Sequence, residues 1–141
     1  MTFYLPIVLT VLATTVYHIA QKSVPSQVNP MLSLCANYAT ALAISLVLLP
    51  FYPSRQGAFA SWRSLNWSSY VVGVAIFGVE LSVLLAYRVG WRISIASAAS
   101  NVMTAVLLAA IGLAFFREHL SRRNWLGVAF CLAGLALIVE R

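Results

Sequence analysis

Residues 67–87 read WSSYVVGVAIFGVELSVLLAY, an apolar run of membrane length that carries one charged residue, Glu80. A helix needs about 20 apolar residues to cross the hydrocarbon core, so this run is predicted to span a bilayer. A charge at the bilayer centre costs about 3 kcal/mol on insertion scales and usually faces a bundle interior or a wet cavity. Glu80 is therefore the strongest candidate for binding a substrate or coupling to an ion.

Four further apolar runs flank this one. The five predicted spans cover residues 3–21, 31–51, 67–87, 93–116 and 125–139. Because the backbone must satisfy its own hydrogen bonds in lipid, each span is predicted to be a helix. The expected fold class is an all-α integral membrane protein with five transmembrane helices, forming a single domain over residues 1–141. Part of the loop from Tyr52 to Asn66 is expected to form a short helix along the interface.

Composition favours lipid as the solvent. The chain is 62% hydrophobic and 9% charged, whereas a soluble domain is about 25% charged. Most basic residues lie in short connections, where they meet anionic headgroups and form no nucleic-acid-binding stripe. No metal-ligand spacing, phosphate-binding loop or nucleophile motif is present, so neither a cofactor nor an enzyme activity is expected. Cys35 and Cys131 lie inside apolar runs and are expected to be small buried hydrophobes.

The charges that flank the spans leave the orientation open. The two sides of the predicted topology carry nearly equal numbers of basic residues, so the positive-inside rule gives almost no bias. One interpretation is that this weak bias fixes a single orientation. The other is that the chain inserts both ways and pairs with an inverted copy of itself, which would build an inverted repeat from one gene.

Three polar residues near the helix ends and beside Glu80 are candidate site residues. His18 lies one turn before the end of the first span, where it either moves protons near neutral pH or bonds to backbone or water. Lys22 follows it, either snorkelling to headgroups or receiving an anionic substrate group. Tyr87 shares the helical face of Glu80 and would make any cavity there partly aromatic.

The fourth span carries a polar stripe at three- and four-residue spacing. It consists of Ser97, Ser100, Asn101 and Thr104. Such residues line cavities or bond across helices, and helix packing by small side chains explains them as well. Asn101 and Ser97 are the candidates for substrate binding, since a buried amide needs partners for both its donor and its acceptor. Asn37, with Tyr38, is a weaker counterpart on the second span.

The C-terminal part of the chain resembles a known family. Arg117–Ser121 (REHLS), Asn124–Gly127 (NWLG) and Gly134–Leu135 are similar to the end of an EamA-type unit in the drug/metabolite transporter superfamily. The small-residue start of the fourth span, Ile95–Ser100, fits the same pattern. A polar exit with Lys22 after the first span also agrees.

The resemblance implies a function and a partner. It covers the chain as one five-span unit, whereas common members carry two units in inverted orientation. It implies a secondary transporter that exports or exchanges metabolites, amino acids or drugs in the bacterial inner membrane, working as an antiparallel homodimer or with a sibling chain. The first span lacks the coupling Glu of small multidrug relatives, which puts their mechanism in doubt here. The alternative is an accessory or assembly subunit, or a lipid-handling protein, in which Glu80 is structural.

Overall fold

The structure is a computed structural model that describes residues 3–52, 57–116 and 121–139. Its helices are α1 (Leu5–Ser23), α2 (Pro30–Leu48), α3 (Ala58–Arg63), α4 (Trp67–Arg88), α5 (Ile93–Phe115) and α6 (Arg122–Val139). No strand occurs in the described ranges, so the predicted all-α fold class is confirmed. The short helix α3 lies in the loop where one was expected, and its place along the interface stays a prediction.

Three of the described helical stretches are long and apolar enough to cross a membrane. They are Pro30–Phe51, Trp67–Arg88 and Ile93–Phe115. Within α6, Arg123–Leu137 is a shorter apolar helix, and α1 has 19 residues with polar side chains in its last turns. The apolar helices make the chain an integral membrane protein. That it has five spans stays a prediction.

The structure extends α1 beyond the predicted end of the first span at Gln21. The helix continues through Lys22 and Ser23, which were expected in the polar connection. Pro25 follows two residues later, and because it has no backbone N–H it cannot continue the helical hydrogen bonds. Lys22 therefore belongs to the last turn of α1, which fixes the direction of its side chain.

Capping and proline chemistry set both ends of α2. At its start, the Asn29 side-chain oxygen accepts a hydrogen bond from the Met31 N–H at 2.8 Å, and Pro30 occupies the first helical position. At its end, the α-helix stops at Leu48 and tightens into a 3₁₀ turn at Leu49–Phe51. The turn contains a proline, which explains why the predicted span to residue 51 is not a continuous α-helix.

The chain forms two compact units. Unit 1 joins Met1–Ile19 to Val89–Arg141, and unit 2 is Ala20–Arg88. Within unit 1, α5 packs against α6, and within unit 2, α2 packs against α4. The single domain over residues 1–141 stays a prediction.

Few large side chains are buried among the described residues. Leu34 and Leu84 are each 1% exposed and Tyr87 is 5% exposed, and all three lie in unit 2. Long apolar side chains on the predicted spans are instead exposed, as lipid tails would solvate them without a hydrophobic penalty. Cys35 and Cys131 are also exposed, so the expectation that they are buried is wrong.

Candidate functional site

Glu80 lies in the C-terminal half of α4, where α2 packs against it. The carboxylate is half-buried, and the Asn37 side-chain Nδ2 donates a hydrogen bond to Glu80 Oε2 at 3.3 Å. The buried hydroxyl of Tyr38, the next residue on α2, lies beside the same carboxylate. We call Glu80, Asn37 and Tyr38 the carboxylate cluster. The Asn37 amide offsets part of the cost of placing a carboxylate among apolar helices.

Gln21 connects the last turn of α1 to the carboxylate cluster. Its side chain is only 4% exposed, and its Nε2 donates to the backbone oxygen of Glu80 at 3.4 Å. A buried amide needs such partners, since leaving its polar atoms unmet would be costly. Gln21 was missed in the sequence, where it looked like part of a membrane exit. The feature that could have revealed Gln21 is an amide side chain at the end of the first predicted span, directly before the basic residue Lys22.

A basic cavity of about 250 Å³ opens beside Gln21 in unit 2. It is lined by Gln21, Lys22, Val24, Ser26, Leu84, Tyr87 and Arg88. The Lys22 ammonium donates to the Tyr87 backbone oxygen at 3.3 Å and lies 5.4 Å from the centre of the Tyr87 ring. The carbonyl ends of a helix attract cations, so the C-terminal end of α4 holds this ammonium in place.

Unit 1 contains a second, larger cavity of about 570 Å³ between α1 and α5. It is lined by Thr10, Val11, Thr14, Thr15, His18, Ile19, Ile93, Ser97 and Asn101. The Ser97 hydroxyl donates to Ile93 O at 2.7 Å, and the Thr15 hydroxyl donates to Val11 O at 2.8 Å. Since each hydroxyl donates its hydrogen to a carbonyl of its own helix, it is left with oxygen lone pairs that can accept a hydrogen bond from a ligand.

The predicted site residues fall into two groups. Glu80, Lys22 and Tyr87 lie in unit 2, while the unit 1 cavity brings together His18, Ser97 and Asn101. His18 also packs edge-on against the Tyr17 ring, with ring centroids 5.2 Å apart.

Arg88 has a place in the site that its position in the sequence did not indicate. In the sequence, Arg88 is only one of the charges that flank a predicted span, whereas in the structure it lines the basic cavity. The first part of the family-like motif, Arg117–Leu120, lies outside the described residues. No group of His, Cys, Asp and Glu residues within the described ranges could hold a metal ion.

Long apolar helices and an ionisable group inside one of them define a polytopic membrane protein, and polar side chains line cavities within each of its two units. The family model of the EamA-like transporter family matches residues 1–140, and the chain belongs to this family. Its resemblance to the drug/metabolite transporter superfamily is thereby confirmed, and the chain is a membrane transporter of that type. The family is not a family of enzymes. No curated protein and no solved structure matches the chain.

Proposed function

We propose that the chain is a secondary transporter that exports or exchanges a small metabolite, amino acid or drug across the bacterial inner membrane. The observation that carries this proposal is Glu80, a carboxylate within a membrane-length helix and hydrogen bonded by Asn37. Ionisable residues inside membrane spans mark substrate or proton pathways. Membership of a transporter family supports the same conclusion.

Glu80 would act by holding either a proton or a cationic group of the substrate. Asn37 orients one carboxylate oxygen through its amide, and Tyr38 places a hydroxyl beside the same group. A carboxylate that binds a proton and an ammonium in turn, but never both, exchanges one for the other across the membrane. The cluster thereby links substrate movement to a proton gradient.

The proposed working form is an inverted dimer. One copy of the chain would supply half of the inverted repeat on which alternating access depends, and an antiparallel copy would supply the other half. Access to the site would then alternate as one protomer rocks against the other. The near balance of basic residues on the two predicted sides supports insertion in both orientations.

Replacing Glu80 with Gln tests its role with little change in shape. The purified chain is reconstituted into proteoliposomes that contain a pH-sensitive dye, and amino acids, polyamines and quaternary ammonium compounds are added in turn. For a compound that the native chain transports with proton movement, we expect Glu80→Gln to abolish both the transport of that compound and the response of the dye. Ser82→Ala is the matched control, because among the described residues the exposed Ser82 hydroxyl bonds only to Gly78 O of the same helix.

The outcome separates the proposal from its alternative. Native-like proton-coupled transport by Glu80→Gln would overturn the role of Glu80. If the native chain transports none of the compounds and Glu80→Gln loses its monodisperse state on size-exclusion chromatography, Glu80 is structural. That result would favour an accessory subunit or a lipid-handling protein.

A further inference from the structure

Arg88 has a buried hydrogen-bond donor with no acceptor in the described part of the chain. Its terminal guanidinium nitrogen donates to the backbone oxygen of Val28, while its Nε is buried and has no hydrogen-bond partner there. Buried donors are almost always paired, and an unmet one on a charged group is especially costly. The guanidinium lines the basic cavity, so an acceptor bound in that cavity can approach it.

The other polar groups of the basic cavity are also suited to an anion. Lys22 and Arg88 bring two cations from different helices to one cavity wall, and each is oriented by a neutral backbone oxygen. These two contacts fix the positions of the cations. Gln21 and Ser26 add an amide and a hydroxyl to the same lining.

The loop that closes the cavity is held by turns. The Val24 N–H bonds to Gln21 O at 3.4 Å, and the Val28 N–H bonds to Pro25 O at 3.1 Å. Because Val28 O is also the acceptor for Arg88, the loop and the guanidinium hold each other in position. The cavity wall is therefore built before any ligand arrives, which lowers the entropic cost of binding.

We propose that the basic cavity of unit 2 binds a phosphate group. A phosphate offers several acceptor oxygens with formal charge, which match the guanidinium fork of Arg88, the ammonium of Lys22 and the neutral donors beside them. A volume of about 250 Å³ holds such a group together with part of the molecule that carries it. This site does not depend on the proposed transport activity, since binding needs neither a gradient nor proton exchange at Glu80.

Titration with inorganic phosphate tests the site directly. The full chain is purified in a neutral detergent, and phosphate binding is measured by calorimetry at constant ionic strength. We expect saturable binding by the native chain, weakened about tenfold or more by Arg88→Gln, as for loss of a charged hydrogen bond. Arg92→Gln is the matched control, because it removes the same charge from an exposed residue outside the cavity lining and should bind phosphate normally.

A second variant tests the cavity if Arg88→Gln does not fold. If Arg88→Gln is not monodisperse on size-exclusion chromatography, Lys22→Gln takes its place, with the same weakening expected. The proposal is overturned if neither inorganic phosphate nor a phospholipid binds saturably to the native chain. It is equally overturned if the folded cavity variant binds as tightly as Arg92→Gln.

A parallel measurement identifies where the phosphate group comes from. Native mass spectrometry counts the phosphatidylglycerol molecules retained by the native chain, the folded cavity variant and Arg92→Gln. Retention that is lost only in the cavity variant, without binding of inorganic phosphate, assigns the site to a lipid headgroup. Saturable binding of inorganic phosphate assigns it to a free phosphorylated molecule. Both results uphold the phosphate site.

Discussion

At the scale of single residues, the contact between Asn37 and Glu80 shows how a carboxylate is kept inside an apolar helix. The amide donates to one carboxylate oxygen at 3.3 Å, and the Tyr38 hydroxyl lies beside it. Hydrogen bonds to a charged group contribute about 1.5–3 kcal/mol each. Removing the amide should therefore weaken the binding of a proton or a substrate group by Glu80 while leaving the carboxyl group itself in place.

Asn37→Ala is expected to lower proton-coupled transport by about tenfold or more, because Glu80 loses the group that orients it. The measurement is the initial rate of dye quenching in proteoliposomes for a compound that the native chain transports. Ser45→Ala on the same helix is the control, since within the part of the chain that the structure describes the Ser45 hydroxyl bonds only to Ala41 O. Equal rates for the two variants would show that the amide does not serve Glu80.

The sequence singles out Glu80 but does not reveal its surroundings. A lone charge in an apolar run is visible without a structure, because a charge is costly in the bilayer core whatever surrounds the run in the sequence. Gln21 and Arg88 gain their roles from the helices beside them, and helix packing is not encoded in local spacing. Two of the four residues of the predicted polar stripe, Ser97 and Asn101, line a cavity with His18 in unit 1, whereas Glu80 lies in unit 2.

At the scale of elements, the turn between α4 and α5 depends on one glycine. Gly90 has φ +101°, in the left-handed region that side chains with a Cβ disfavour. The carbonyl of Arg92 then accepts hydrogen bonds from Ile95 and Ala96 and starts α5. The predicted fourth span begins at residue 93, where α5 also begins, because a short interruption between two long apolar runs leaves little freedom in where the second run starts.

Gly90→Ala should destabilise the chain by about 1–2 kcal/mol, the usual cost of a left-handed conformation for a residue with a Cβ. The measured quantity is the temperature at which half of the monodisperse peak is lost on size-exclusion chromatography. We expect that temperature to fall for Gly90→Ala and to stay or rise for Gly78→Ala, where a helical glycine gives way to a better helix former. A Cβ at either position meets no atom within 4 Å, so steric clash does not confuse the comparison.

Other helix ends were harder to predict than the helices themselves. The second and third spans were expected at residues 31–51 and 67–87, close to the helical stretches Pro30–Phe51 and Trp67–Arg88. The predicted first span ends two residues before α1 does, because Lys22 was assigned to the polar connection. In the structure Lys22 lies in the last turn of α1 and its ammonium binds the Tyr87 carbonyl, a tertiary contact that local sequence does not reveal.

At the scale of the whole molecule, the chain buries few of its large apolar side chains in the described ranges. Lipid covers such side chains without cost, and a second copy of the chain could cover some of them in a dimer. The nearly balanced basic residues of the connections are the sequence feature that favours an inverted partner. Orientation in the native membrane therefore decides whether one gene supplies both halves of the transporter.

Labelling of single cysteines measures that orientation. Ser64→Cys and Val89→Cys place exposed thiols just before and just after α4, in a background without the exposed Cys35 and Cys131. We expect each site to be labelled from both faces of the native membrane, because half of the copies would be inverted. Labelling of the two sites from opposite single faces would exclude an antiparallel homodimer and favour a partner subunit.

The exposure of the tryptophans has a practical consequence for spectroscopy. Trp62, Trp67, Trp91 and Trp125 are all exposed, so their fluorescence would report the depth and polarity of the surrounding bilayer more than the packing of the helices. Far-ultraviolet circular dichroism would be equally insensitive, because each helix keeps its internal hydrogen bonds in lipid even when its neighbours separate. This chain could lose its tertiary structure inside a membrane while both optical signals remained those of the folded state.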